Sequence, residues 1–157
     1  ELDAPEDMSD AAWDSVVETN LSSVFKFCRA AHPSFTRSGS GKIINIGSMY
    51  SIFGSPFAAS YAASKGGVVQ LTRSLAVAWA KDDIQVNAIL PGWITTDMTA
   101  PIRNDMPDLY RSIIARTPAE RFGEPEELAG TAVYLASKAS DFVTGQSIAV
   151  CGGYSVS

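Results

Sequence analysis

KIINIGSMYSIFGSPFAASYAASKGGVVQL, residues 42–71, contains both of the periodicities from which the fold is read. Its first part, KIINIGS (42–48), is a short apolar run behind the Gly/Ser turn SGSG, and it predicts a buried strand. Its later part predicts a helix over 61–81, with Val68, Leu71, Leu75 and Ala78 on the core face. Downstream, IQVNAIL (84–90) is a second strand ended by Pro91-Gly92, and QSIAVCGG (146–153) a third. Between them, segment 97–117 predicts a short helix with Leu109, Ile113 and Ile114, and EPEELAGTAVYLAS starts a helix at Pro125. Upstream, Ser9 is a plausible N-cap. Trp13, Val16, Val17, Leu21, Val24, Phe25, Cys28 and Ala31 then recur at helical spacing, with Pro33 near the end.

Strands alternating with helices imply crossover connections. The expected fold class is therefore α/β, a doubly wound parallel sheet of about three strands with flanking helices, covered on both faces. No repeat, low-complexity tract or linker divides the 157 residues, which read as one domain, 1–157. Such a sheet ordinarily opens on a strand and a glycine-rich turn, whereas this sequence opens on an acidic loop and a helix.

Composition excludes several classes. The net charge is −5, and no basic stripe is available to neutralise phosphates, so a nucleic-acid partner is not expected. The acidic excess is local: Glu1, Asp3, Glu6, Asp7, Asp10, Asp14 and Glu18 all precede the first basic residue, Lys26, and read as a solvated lead-in to a helix N-terminus. No apolar run approaches the ~18 residues that span a bilayer, so no membrane partner is expected, and the acidic start does not suit a signal or transit peptide. Cys28 and Cys151 lie far apart in different predicted elements, which suggests free thiols, a reducing compartment and a cytoplasmic location.

Tyr61 and Lys65, four apart on a helix, can approach each other or a shared ligand. An ammonium beside a phenol favours the phenolate, which makes the pair a candidate acid/base, although Tyr and Lys at this spacing also occur in ordinary helices. Ser48 lies at the predicted strand end, where ligands meet parallel sheets, and a loop from there reaches the helix bearing Tyr61. Its plain reading is a turn serine, and Ser51 is an equal candidate. Asn20 falls among the apolar positions of the first helix. A buried amide needs a partner, so it caps a neighbouring loop or holds a water or a backbone kink near a site. GSGK (39–42) fails the G-x-x-x-x-G-K-S/T spacing and precedes a strand, so it reads as a turn. His32 is the sole histidine and sits beside Pro33 at the predicted helix end, which leaves neither a histidine triad nor a histidine-rich metal site.

Taken together, Asn20 in ETNL, Ser48 in INIGS, YAASK (61–65) and PGWITTDM (91–98) resemble the classical short-chain dehydrogenase/reductase family, and RFGEPEELA (121–129) and TGQSIAVCGG (144–153) match its later signatures. The resemblance covers nearly the whole chain and implies a Rossmann-like sheet, here its C-terminal part. It implies an oxidoreductase moving a hydride between NAD or NADP and a secondary alcohol or ketone: a sugar acid, polyol or 3-oxoacyl thioester, with the first two slightly favoured. By the same resemblance Tyr61 is the acid/base, and Ser48 holds and polarises the substrate oxygen. Lys65 lowers the Tyr61 pKa and binds the nicotinamide ribose, and Asn20 supports a water relay to Lys65. Pro91, Gly92, Ile94 and Thr96 would border the nicotinamide, with the Ile94 backbone and the Thr96 hydroxyl meeting its carboxamide.

The departures from the family pattern are equally specific. The glycine-rich dinucleotide turn, the residue selecting NAD or NADP, and the N-N-A-G strand end are all expected before residue 1, so the chain reads as the catalytic portion of a longer enzyme. Cys151 stands where the family commonly has aspartate in DGG. The resemblance also implies a homodimer or homotetramer packed through the 9–36 and 61–81 helices, whose outward faces contain Phe27, Val69 and Trp79 unless these join the core. A non-catalytic oligomerisation or scaffold piece is the alternative.

Overall fold

The computed structural model describes residues 4–157, so Glu1 and Asp3 of the acidic lead-in lie outside the described residues. Ser9 caps the first helix, α1 (Asp10–Val17), its side chain accepting from the Ala12 N–H. A π-helical segment, Glu18–Ser22, interrupts the long predicted helix before α2 (Ser23–Ser38). Pro33 lies inside α2 and not near its end. Pro33 is itself exposed, so the helical carbonyl it leaves without a donor can turn to water. Gly39 stops α2 in the left-handed conformation, φ 80°, which a glycine adopts without strain.

The sheet has the order β1-β2-β3 and is parallel throughout, with β1 at Gly41–Ile46, β2 at Ile84–Pro91 and β3 at Ser147–Val150. Only β2 is the continuously buried strand that the sequence suggests. β1 is mostly half-buried and its Ile46 is 50% exposed, because among the described residues it pairs on one side only. The α3 helix (Ala59–Trp79) crosses between β1 and β2. Its buried face is Ser64, Val68, Val69, Thr72, Leu75 and Ala76, so Val69 joins the core while Ala78, expected inward, is exposed.

The expected single helix over 97–117 is two, α4 (Ala100–Asp105) and α5 (Pro107–Arg116), separated at Met106 just before a proline. In α5 Ile113 is buried, whereas Leu109 faces solvent. Pro125 opens a 3-10 turn, Pro125–Leu128, that leads into α6 (Ala129–Ala136).

Alternation along the strands assigns the two faces. Ile43 of β1 and Ile84 and Val86 of β2 pack with Cys28, Leu75 and Ala76, flanked by Val24, Phe35, Leu71 and Trp79. Lys42 turns the other way, donating to Ser140 and Asp141 just beyond α6. The first helix contributes less to the core than its periodicity suggests: Trp13 is 41% and Phe25 40% exposed, and only Cys28 is fully buried. His32 sits within α2, its ring 4.7 Å from that of Trp79 and its Nε2 3.2 Å from Asp82. Trp79 is thereby held partly inward. Both cysteines are free. Among the described residues no helix is long and apolar enough to cross a membrane, and no cluster of His, Cys, Asp or Glu could hold a metal ion.

One buried amide ties the third strand to the second. Asn87 donates to the Val143 carbonyl at 2.7 Å and accepts from the Gln146 N–H at 3.0 Å, aligning the loop that enters β3. Asn87→Ala leaves both backbone groups unpaired and is expected to cost about 1–3 kcal/mol. This would be read as a lower urea midpoint at constant m-value; an unchanged midpoint would remove Asn87 from this role.

Candidate active site

Because all strands are parallel, their C-terminal ends lie along one edge, and the loops that leave it converge there. Beyond β1, Gly47 extends the ladder by donating to the Ile89 carbonyl, and Ser48 then caps a 3-10 turn, Met49–Ser51. The Ser48 Oγ accepts from the Tyr50 N–H at 3.2 Å and donates to no group among the described residues. Ser51, its rival in sequence, is committed: its Oγ accepts from the Ser48 N–H at 3.1 Å and donates to the Lys65 carbonyl at 2.8 Å. The hydroxyl with a proton to offer a ligand is therefore that of Ser48.

Tyr61 and Lys65 occupy the first turns of α3. The Lys65 Nζ donates to the Ile46 carbonyl at 2.9 Å and stands 5.7 Å from the centroid of the Tyr61 ring. Burial pushes the Lys65 ammonium below its ordinary pKa. An ammonium carries three donors, so one bond to a carbonyl leaves others for a ligand. The Tyr50 ring lies edge-on to Tyr61 at 6.2 Å and to Trp93 at 6.4 Å, linking α3 to the loop after β2.

Asn20 lies in the π-helical segment and is half-buried, less enclosed than expected. Its neighbour Leu21 packs onto α3 at Gly67, where a Cβ would come within 2.6 Å of the Leu21 Cδ2. No hydrogen bond joins the Asn20 amide to Lys65 among the described residues. The segment is wound differently from its neighbours where it meets α3, a placement π-bulges often have at functional sites.

After β2, Pro91 closes the strand and Gly92 donates to the Val150 carbonyl. Ile94 is buried and bridges Gly123, whose N–H and carbonyl pair with Trp93 and Thr95. The Ile94 carbonyl accepts from Thr99 Oγ1, while its N–H meets no acceptor among the described residues. Thr96 is exposed, with Thr99 Oγ1 accepting from its N–H. The Thr95 hydroxyl reaches Glu124, and the 121–127 segment is itself braced by Arg121, which donates to both carboxylate oxygens of Glu127 at 2.7 Å. Tyr50 and the Arg121–Glu127 brace carry no role in the sequence reading. For the brace, a signal existed in the E-x-x-E pattern of 124–127, a capping box that the structure forms.

Two consequences are measurable. A Cβ on Gly92 would lie 2.6 Å from the backbone Cα of Cys151, so Gly92→Ala must displace β3; a loss of about 1–3 kcal/mol is expected in chemical denaturation. A variant as stable as wild type would contradict this close approach. The Arg121 guanidinium and the Glu124 N–H hold the Glu127 carboxyl down to about 2, against an ordinary 4.5. A depressed acid stabilises the fold above its unfolded pKa and loses that contribution as pH falls through the folded one. Glu127→Gln should therefore flatten the decline of melting temperature between about pH 4.5 and 2, and an unaltered acid limb would show the brace to be idle.

The family model described as Enoyl-(Acyl carrier protein) reductase matches residues 2–155. The chain is 45% identical over 149 residues to galactitol 2-dehydrogenase (L-tagatose-forming) of Cereibacter sphaeroides, covering 94% of this chain and 58% of that one. It is 46% identical over 149 residues to 2-dehydro-3-deoxy-D-gluconate 5-dehydrogenase of Dickeya dadantii, with the same shares covered. Among solved structures, a gluconate 5-dehydrogenase from Burkholderia cenocepacia in complex with NADP and tartrate superposes with a TM-score of 0.96 at 36% identity, over 100% of this chain and 61% of that one. The chain thus spans 58% of the length of these two curated relatives. With the match running from residue 2 to 155 and the parallel sheet presenting Ser48, Tyr61 and Lys65 at one edge, the chain belongs to the short-chain dehydrogenase/reductase family.

Proposed function

We propose that this chain carries the catalytic portion of an NAD(P)-dependent oxidoreductase that interconverts a secondary alcohol and a ketone, on a sugar acid, polyol or 3-oxoacyl substrate. The observation that carries this reading is the Lys65 ammonium, partly buried, bonded to the end of β1 and 5.7 Å from the Tyr61 ring. Beside it, Ser48 has a hydroxyl proton without an acceptor among the described residues. In this reading Tyr61 exchanges a proton with the substrate oxygen and Ser48 donates a hydrogen bond to that oxygen. Lys65 keeps positive charge beside the phenol and directs its remaining donors at the nicotinamide ribose. Asn20 supports a water between the π-helical segment and Lys65.

The residues fit the nicotinamide end of such a cofactor. Ile94 offers an N–H unpaired among the described residues, Thr96 an exposed hydroxyl, and Pro91 and Gly92 a surface without bulky side chains. When bound, the nicotinamide supplies or accepts the hydride. NADP is named in the related gluconate 5-dehydrogenase complex, and the names of the curated relatives support sugar acids and polyols. A 3-oxoacyl-(acyl-carrier-protein) reductase of Staphylococcus epidermidis, 40% identical over 146 residues, supports the third class.

Assembly as a homodimer or homotetramer through α2 and α3 is supported by Phe27 and Val77, 77% and 84% exposed on those helices. The same faces would serve a non-catalytic scaffold, which has no use for a partly buried ammonium beside a phenol. A cytoplasmic setting is supported by the two free thiols.

Tyr61→Phe removes the proton donor and keeps the ring. In the intact protein it is expected to lower turnover by about 10²- to 10⁴-fold with an unchanged melting temperature. Turnover near wild type would contradict the assignment and favour the scaffold.

A further inference from the structure

We propose that Arg116 is a specificity-determining residue of this site, one that binds a carboxylate on the substrate and so favours a sugar acid over a neutral polyol; this rests on the dehydrogenase reading above. Arg116 ends α5 and remains exposed, yet its guanidinium is not free to wander. Its Cζ lies 4.6 Å from the Phe53 ring centroid and 4.2 Å from that of Tyr154, and these rings meet edge-to-face, so the guanidinium occupies the corner between them. One Nη1 donor is used, on the Tyr154 hydroxyl at 3.2 Å. The rest of the planar fork has no acceptor among the described residues, and aromatic contacts hold a guanidinium in place while its in-plane donors stay available.

The corner adjoins the candidate site. Phe53 follows the turn that Ser48 caps, and Tyr50 in that turn lies edge-on to Tyr61. Burial pushes the Tyr50 phenol up, and the Arg116 charge acts against that rise, as expected of a cation close by. Charge accounting points the same way. In this acidic chain the neighbouring Arg111 and Arg121 are each paired with a carboxylate, Asp108 and Glu127. Arg116 forms no ion pair among the described residues. On α4, which packs beside α5, Arg103 has a buried Nε without a partner among the described residues, a second guanidinium with an unused donor on this segment. A bidentate carboxylate is the group whose geometry matches such a fork.

The test compares D-gluconate with D-glucitol, which has the same carbon chain with a hydroxymethyl in place of the carboxylate. Equilibrium binding and kcat/KM are measured with the intact protein, Arg116→Gln and Arg116→Lys. Wild type should favour gluconate, and Arg116→Gln should lower the gluconate-to-glucitol ratio of kcat/KM by about 10- to 100-fold, mainly through KM. Arg116→Lys, which keeps the charge but loses the fork, should fall between. A ratio unchanged in Arg116→Gln, equal losses on both compounds, or no gluconate binding to wild type would overturn the assignment. Arg116-dependent gluconate binding without reduction of NAD or NADP would keep the carboxylate site and sink the dehydrogenase reading. Turnover of glucitol alone would do the reverse.

Discussion

The hydrogen bond from the Lys65 Nζ to the Ile46 carbonyl is the contact on which the site depends. It joins the first turns of α3 to the last residue of β1, two elements separated by the whole 47–58 connection. A lysine this enclosed sacrifices hydration, and a backbone carbonyl at a strand end is the nearest compensating acceptor. Ser51 adds a second tie to the same residue, accepting from the Ser48 N–H and donating to the Lys65 carbonyl. Ser48 and Lys65 are thus held by bonds to backbone groups that leave side-chain donors for a ligand.

Beneath these bonds lies an apolar support. Met49, Val69, Ala88, Leu90 and Tyr154 form a buried cluster, with Phe53, Trp93 and Cys151 packed against it. It draws on the turn after β1, on α3, on β2 and on the C-terminal segment, so every chain segment bearing a candidate residue from 48 to 96 shares one core. Cys151 packs closely enough against Gly92 to leave no room for a Cβ there. Burial alone would push the Cys151 thiol up, but hydrogen bonds from Ser155 and the adjacent backbone bring it below the ordinary value. The sulfur sits in a hydrogen-bonded C-terminal turn at the position where the resembling family commonly has aspartate.

Much of this was legible in the residues. The parallel α/β fold followed from apolar runs alternating with helical periodicity, and the Tyr61–Lys65 pairing followed from i, i+4 spacing. Other features were not legible, for physical reasons. The Ile46 carbonyl is a backbone acceptor, and every residue has one, so its use by Lys65 leaves no trace in sequence. The π-helical winding at Glu18–Ser22 comes with the close packing of Leu21 on Gly67, a tertiary contact that local propensity does not encode. Periodicity misjudged Ala78 because α3 turns its inward stripe toward Leu75 and Ala76. Ser48 and Ser51 were equivalent until their hydrogen bonds separated them. Arg116 carried no motif; only its position between Phe53 and Tyr154 distinguishes it from other arginines.

In the proposed dehydrogenase a hydride and a proton meet a carbonyl at this sheet edge, and isotope transfer tests that proposal most directly. The intact protein would be incubated with 5-keto-D-gluconate and reduced NAD or NADP deuterated at the transferable C4 position, and the alcohol product examined by mass spectrometry. The account predicts one deuterium at the newly formed carbinol carbon. Alcohol formed without deuterium from either face of either cofactor would contradict it.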